Sequence, residues 1–150
     1  MTVVLVPMTN QHVDELMPYE KTMFGTEAWT RSGYRSELAD TRFRHYVAAE
    51  DEDGRRLLGW AGIMVVADAA QILTIGVIPE ARRQGIGQLL LNALLAEATR
   101  REATAIFLEV RVDNDAAQQL YRHNDFSTLR VRRGYYDHGR VDAVEMQRAL

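Results

Sequence analysis

Hydrophobic and polar positions along the chain change period several times, and each change marks an element. Val3 to Val6 is an apolar run of strand length, predicting a short buried strand. A helix follows, with Thr9 or Asn10 as its cap and Val13, Leu16 and Met17 on one face; Pro18 is expected to kink or end it. Phe24 to Trp29 (FGTEAW) follows neither period and predicts a loop, after which Thr30 caps a second helix reaching about Ala39. Phe43 to Ala49 predicts a strand. The acidic Glu50, Asp51, Glu52 and Asp53 with Gly54 predict a solvated hairpin turn in preference to a metal site. Leu57 to Val66 and Ala70 to Val77 predict two more strands joined by a turn near Asp68, the second ended by Pro79.

The strongest helix signal runs from Gly85 to Arg101, where Leu90, Leu94 and Ala98, with Leu91 and Leu95, build an apolar face. Ala105 to Val110 is β-rich, Asn114 to His123 is helical, and Ser127 to Arg132 and Val141 to Gln147 close the chain as strands. From about Ala70 onward strands and helices alternate, which predicts an α/β fold with a mixed sheet in layers. No repeat or low-complexity segment occurs, and none of the three prolines, Pro7, Pro18 and Pro79, lies in a linker-like stretch. One domain spanning residues 1–150 is therefore expected, a length that suits a single core.

Composition narrows the function classes. Eighteen Lys and Arg against 21 Asp and Glu leave a net charge of −3, which argues against indiscriminate nucleic-acid binding and is too small to imply a basic partner. The chain has no cysteine, so disulfides, thiolate metal sites and cysteine nucleophiles are excluded. No apolar run approaches the ~18 residues of a membrane helix, and MTVVLVPMTN carries no basic leader. A cytoplasmic protein with no membrane partner is expected. His12, His45, His123 and His138 are scattered without a second ligand at metal spacing, so they are expected to be surface or structural and no metal is predicted.

Chemistry concentrates first at Ile75-Gly76-Val77, then Arg82-Arg83-Gln84-Gly85-Ile86-Gly87-Gln88, ahead of a long helix. The first amides of a helix have no internal partner, and the macrodipole adds partial positive charge. Gly85 and Gly87 would let a phosphate approach the backbone, with Arg82 and Arg83 adding charge. A plain strand-to-helix turn explains such an isolated motif equally well. No Lys-Ser or Lys-Thr follows the glycines, and arginine stands where a dinucleotide fingerprint has its first glycine, which disfavours ATP and NAD.

The second informative block is Leu108-Glu109-Val110-Arg111, then Asn114, Leu120-Tyr121 and Phe126. Together the two blocks resemble the GNAT superfamily of acetyl-CoA-dependent N-acetyltransferases. With Arg132-Arg133-Gly134-Tyr135-Tyr136 and Asp142-Ala143, the sequence is most similar to the RimI-type ribosomal-protein N-alpha-acetyltransferases. The resemblance covers nearly the whole chain and is weak before residue 57. It departs at Asp125, where the family has glycine, and at FGTEAW, where the family has an aromatic-proline-tryptophan loop.

The resemblance implies a three-layer fold, with a central, mostly antiparallel sheet of about seven strands flanked by about four helices. It implies acetyl-CoA as co-substrate. Pantetheine would lie against Ile75, Gly76 and Val77, the pyrophosphate on the amides of Arg83 to Gln88, and Asn114 would contact the coenzyme. Asn114 is also a good helix cap, and both roles can coexist. Glu109 interrupts the apolar strand IFLEV. A salt bridge or outward position explains it without the resemblance; with it, Glu109 matches a general base acting through water, and burial would raise its pKa. Tyr121 matches a general acid to the departing thiolate, or a group orienting the sulfur, against core packing as the ordinary alternative. Tyr135 and Tyr136 would wall a peptide groove, with Trp29, Glu27 and, more weakly, Asp142 facing it.

With no cysteine, direct attack within a ternary complex is expected. The acceptor implied is the N-terminal amine of a protein, an alanine of a small-subunit ribosomal protein. An α-amine has a pKa near 8 and a lysine near 10.4, so close to neutrality the neutral α-amine is on the order of a few hundred times more abundant, roughly 3 kcal/mol. A single carboxylate base therefore suits an α-amine. Acetylation of a protein lysine or of a small-molecule amine remains an alternative, as does a non-catalytic acyl-CoA-binding regulator. Oligomeric state is not readable from the sequence.

Overall fold

A computed structural model describes residues 2–150. One seven-stranded sheet runs through the chain in the order β1-β2-β3-β4-β5-β7-β6. Its strands are β1 (Val3–Pro7), β2 (Arg44–Asp51), β3 (Leu57–Val66), β4 (Ala69–Val77), β5 (Ala105–Arg111), β6 (Ser127–Tyr136) and β7 (Val141–Ala149). All neighbours are antiparallel except β4 and β5, so the expected mixed, mostly antiparallel sheet is present. Four helices flank it: α1 (Asn10–Phe24), α2 (Arg31–Ala39), α3 (Ile86–Arg100) and α4 (Asp115–His123). Among the described residues no helix is long and apolar enough to cross a membrane.

Strand β3 is buried on both faces, and its alternation sets the layers. Trp60 points toward α2, where its indole N–H donates to Tyr34 Oη at 3.1 Å. Gly59 points the other way, where an added Cβ would meet Leu90 and Ile86 of α3 at 3.1 and 3.3 Å and the Gly76 carbonyl at 2.7 Å. The missing side chain lets the first turn of α3 lie directly over the end of β4. Ile86, Leu90, Leu91, Leu94 and Ala98 are the buried residues of α3, the stripe that its sequence period predicts.

Helix α1 begins at a capping box in which Thr9 Oγ1 accepts from the His12 amide and His12 Nδ1 accepts from the Thr9 amide. Because Nδ1 accepts, the ring proton sits on Nε2, 2.7 Å from Glu50 Oε2. His12 is thus a structural histidine tying α1 to β2. Pro18 neither ends nor replaces the helix, which runs on to Phe24. Pro18 and Asp14 are both exposed, so the Asp14 carbonyl deprived of its helical partner faces water. The FGTEAW segment is partly ordered as a 3₁₀ turn over Gly25–Glu27. Strand β6 extends beyond Arg132 to Tyr136, with its pairing to β7 irregular between those two residues.

Two irregularities open the sheet. Gly62 pairs with Thr74 and Ile63 with Ile72, leaving Leu73 as an extra residue in β4, a β-bulge. Parallel pairing of β4 with β5 covers only Ala69–Gln71 against Ala105–Phe107. Beyond Gln71 the two strands diverge, and the edge of β4 facing β5 is left without a strand partner.

Gly76 sits on that diverging segment. A Cβ there would lie 2.6 Å from Trp60 Cζ2, and Trp60 is fully buried and held by Tyr34. Gly76→Ala is expected to destabilise the fold by about 1–3 kcal/mol through overpacking. The check is a thermal melt without ligand, in which an unchanged Tm would contradict the geometry.

Candidate active site

The divergence of β4 and β5 creates a passage through the sheet, and two adjoining cavities meet there. The first, about 270 Å³, is lined by Ile72 to Ile75 of β4, Leu108 to Arg111 of β5, and Glu27, Trp29, Tyr121 and Tyr136. The second, about 530 Å³, lies toward the N-terminus of α3 and is lined by Ile75, Gly76, Val77, Arg82, Arg83, Gly85, Ile86, Gly87 and Asn114, among others. Met23, Phe24, Ile75, Asn114, Ala117 and Tyr121 border both. A molecule occupying the second cavity would therefore present its end to the first at these side chains.

The second cavity has the features an anionic, extended ligand needs. Gly85, the N-cap of α3, adopts a left-handed conformation (φ 78°), as does Arg83 (φ 63°). No side chain caps α3, so its first amides face the cavity side without a competing acceptor. A Cβ on Gly87 would touch only Leu120 Cδ2, at 3.5 Å. Gly87→Ala is thus expected to fold normally, and to weaken acetyl-CoA binding about tenfold by standing between a phosphate and the backbone; calorimetric titration measures it. Gln84 and Gln88 do not line the cavity. The Gln88 side chain is committed elsewhere, exchanging amide hydrogen bonds of 2.8 and 2.9 Å with Asn124 beyond α4.

Asn114 combines the two expected positions. Its Oδ1 accepts from the Ala117 amide at 3.1 Å, capping α4, while the residue borders both cavities. Tyr121, on the buried face of α4, packs edge-on to Phe126 with centroids 5.6 Å apart. Desolvation by its apolar surroundings pushes its pKa up to about 12, so the phenol keeps its proton throughout the physiological range.

Glu109 projects from β5 on the face opposite Leu108 and Val110. Its Oε1 accepts from Arg132 at 3.0 Å and its Oε2 from Gln71 at 3.1 Å, yet it also lines the first cavity. The salt-bridge reading and the cleft reading both hold. The carboxylate is paired with Arg132 and Gln71 as well as open to the cleft. Glu109 and Tyr121 belong to opposite faces of the sheet and share a cavity because the strands between them part.

The peptide-groove candidates separate. Glu27 accepts from the Asp137 amide and from Arg111 Nη1 at 3.4 Å, joining the segment after α1 to the turn between β6 and β7. Desolvation acts to raise its pKa, but those donors outweigh it and hold the carboxyl below its usual range. Trp29 and Tyr136 line the first cavity with it. Tyr135 is exposed and points elsewhere, its ring under the Arg132 guanidinium. Asp142 lines none of the described cavities; its Oδ1 accepts from the Gly134 amide at 2.9 Å and so braces the β6–β7 turn.

Sequence reasoning passed over Glu20. It is 2% exposed, lines the first cavity, and accepts from the Tyr34 hydroxyl and, at 3.0 Å, from the Trp29 amide. Burial raises its pKa against the pull of those two donors. The signal was present: Glu20 continues the His12, Leu16 spacing, a carboxylate in the buried stripe of α1. Among the described residues no cluster of three or more His, Cys, Asp or Glu is placed to hold a metal ion.

The acetyltransferase (GNAT) family model matches residues 11–126. The chain belongs to this family and is an acetyl-CoA-dependent N-acetyltransferase. It is 38% identical over 128 residues to the N-alpha-acetyltransferase RimI of Mycobacterium tuberculosis, covering 83% of this chain and 77% of that protein. Among solved structures, the ribosomal-protein-S18-alanine N-acetyltransferase of Escherichia coli superposes with a TM-score of 0.84 at 26% identity, over 99% of this chain and 94% of the other. The fold is shared with Arabidopsis thaliana NAA60, solved in complex with acetyl-CoA: TM-score 0.85, 18% identity, 99% of both chains.

Proposed function

We propose that this enzyme transfers acetyl from acetyl-CoA to the N-terminal alanine of a small-subunit ribosomal protein, as the relatives' names describe for them, and that it does so in the cytoplasm. The observation that supports the chemistry is the cavity lined by both Glu109 and Tyr121, which adjoins a second cavity at the N-terminus of α3. Pantetheine pairs along the unpartnered edge of β4 at Ile75 to Val77, and the amides there polarise the thioester carbonyl. The pyrophosphate rests on the uncapped turn of α3 between Arg83 and Gly87. Asn114 keeps its amide Nδ2 for the coenzyme while Oδ1 caps α4.

The acceptor amine enters the first cavity past Glu27, Trp29 and Tyr136. Glu109 takes its proton through water, and the neutral nitrogen attacks the carbonyl carbon. The carbon–nitrogen bond forms as the carbon–sulfur bond breaks, the sulfur leaves hydrogen-bonded to the Tyr121 hydroxyl, and the second proton of the attacking nitrogen passes through water to the departing thiolate. No side chain carries the acetyl group.

Thiol release from acetyl-CoA tests the proposal with two peptides, one beginning with alanine and blocked at lysine, the other blocked at its N-terminus with a free lysine. The enzyme itself has no cysteine to contribute background. Turnover on the alanine peptide alone is expected. Turnover on the lysine peptide alone overturns the acceptor, and silence on both with coenzyme bound moves the assignment to small amines or to regulation.

A further inference from the structure

We propose that Arg132 is a positioning residue for Glu109, orienting the base from the open face of the sheet; the proposal rests on the reading of Glu109 as that base. The helices α1 and α2 do not cover the sheet face beyond β4, and a groove of about 340 Å³ lies there, lined by Gln71, Glu109, Arg130, Arg132 and Glu145 among others. Glu109 borders this groove as well as the acceptor cavity, so it is reached from two sides.

The groove holds an ordered set of charges. Glu145 on β7 stands directly opposite Glu109 in the antiparallel register. Like charges so placed repel. Strand β6 answers each with an arginine: Arg132 Nη1 lies 3.0 Å from Glu109 Oε1, and Arg130 Nε lies 2.9 Å from Glu145 Oε2. The groups facing Glu109 are therefore neutral Gln71 from β4, Glu145 from β7, and Arg130 and Arg132 from β6, with the Tyr136 phenol beyond them. Arg132 is itself steadied by the Tyr135 ring, whose centroid lies 4.6 Å from the guanidinium carbon. That contact gives Tyr135 a place in the site although it lines no wall of the acceptor cavity.

The mechanical consequence follows from the carboxylate's geometry. Each oxygen has two lone-pair directions. One on Oε1 is used by Arg132 and one on Oε2 by Gln71, which fixes the plane of the group and leaves the remaining directions for a water in the acceptor cavity. Without Arg132 the carboxylate keeps only the Gln71 hydrogen bond on Oε2, so it can pivot about that contact under the push of Glu145 and the pull of Arg130; a displacement of the order of an ångström at a reacting group can cost about 10²-fold.

The test measures kcat and the KM for acetyl-CoA of Arg132→Met, Arg132→Lys, Glu109→Gln and the double variant Glu109→Gln/Arg132→Met, each checked for an unchanged melt. Arg132→Met is expected to lower kcat about tenfold with the coenzyme KM unchanged, Arg132→Lys to recover part of it, and the double variant to be no slower than Glu109→Gln alone. A wild-type kcat for Arg132→Met beside a slow Glu109→Gln overturns this proposal and leaves the base in place. An equal loss from Arg132→Met in the Glu109→Gln background overturns it too, since the arginine then acts elsewhere. A fast Glu109→Gln overturns the base assignment and this proposal together. A melt lowered in both Arg132 variants, with no rescue by lysine, would assign the arginine to stability alone.

Discussion

Glu109→Gln lowers kcat on an alanine-initiated peptide by about 10²–10³, the usual size of a positioned general base, while the KM for acetyl-CoA stays as it was. Glutamine keeps the shape of the carboxylate and a carbonyl oxygen for Arg132 or Gln71, so the strand and its neighbours remain in place. What it loses is the ability to accept the amine's proton. The deficit is greatest at low pH. An α-amine with a pKa near 8 loses about tenfold of its neutral form for each unit below that value, so the need for a base grows as pH falls. Near pH 9 most of the amine is already neutral and the variant approaches the parent. A pH series of kcat from 6 to 9 reads this directly, and full activity across the series would remove Glu109 from the mechanism.

Tyr121→Phe lowers kcat by about 10²-fold, close to 3 kcal/mol of transition-state stabilisation, without a matching fall in Tm. The ring is well packed against Phe126, and phenylalanine preserves that contact. The hydroxyl has no hydrogen-bond partner among the described residues, so its removal orphans nothing in the protein. Desolvation pushes its pKa up to about 12. A free thiol has a pKa near 8.5, and complete transfer from phenol to thiolate would be uphill by roughly 5 kcal/mol. We therefore propose that the hydroxyl donates a hydrogen bond that strengthens as negative charge grows on sulfur, while the proton itself reaches the sulfur from the acetylated nitrogen through water. By the same value Tyr121 stays protonated at every pH up to about 11, so it adds no falling limb to the rate profile below that. A collapse in Tm on substitution would instead assign the residue to packing.

Several features of the site were legible residue by residue. Gly85 and Gly87 at the start of an apolar helix marked either an anion-binding turn or a plain strand-to-helix turn, and no side chain caps α3. Glu109 inside an apolar strand was conspicuous, because a carboxylate is rare at such a position without a partner or a task. Asn114 was ambiguous between cap and ligand, and its place at the junction of two cavities explains the ambiguity. The loops were less legible. Tyr135 and Asp142 were grouped with Tyr136 by resemblance, yet strand alternation and the irregular pairing around Gly134 send them to an arginine and a backbone amide. Glu20 was hidden within an amphipathic helix, where one charge in the buried stripe is easily taken for the edge of the polar face.

The chain's own pattern determined most of the elements, the mixed character of the sheet, the long helix that follows Gly85, and the types of residue available for acetyl transfer. These depend on periodicity, caps and glycine geometry, which act over a few neighbouring residues. The tertiary structure alone decided that Leu73 bulges, that β4 and β5 part after Gln71, and that Glu109 and Tyr121 therefore meet through the sheet although they lie on opposite faces of it. It also decided that Arg132 faces Glu109. Such pairings depend on register between strands distant in sequence and on which side of the pleat each residue falls, and a shift of one position reverses them.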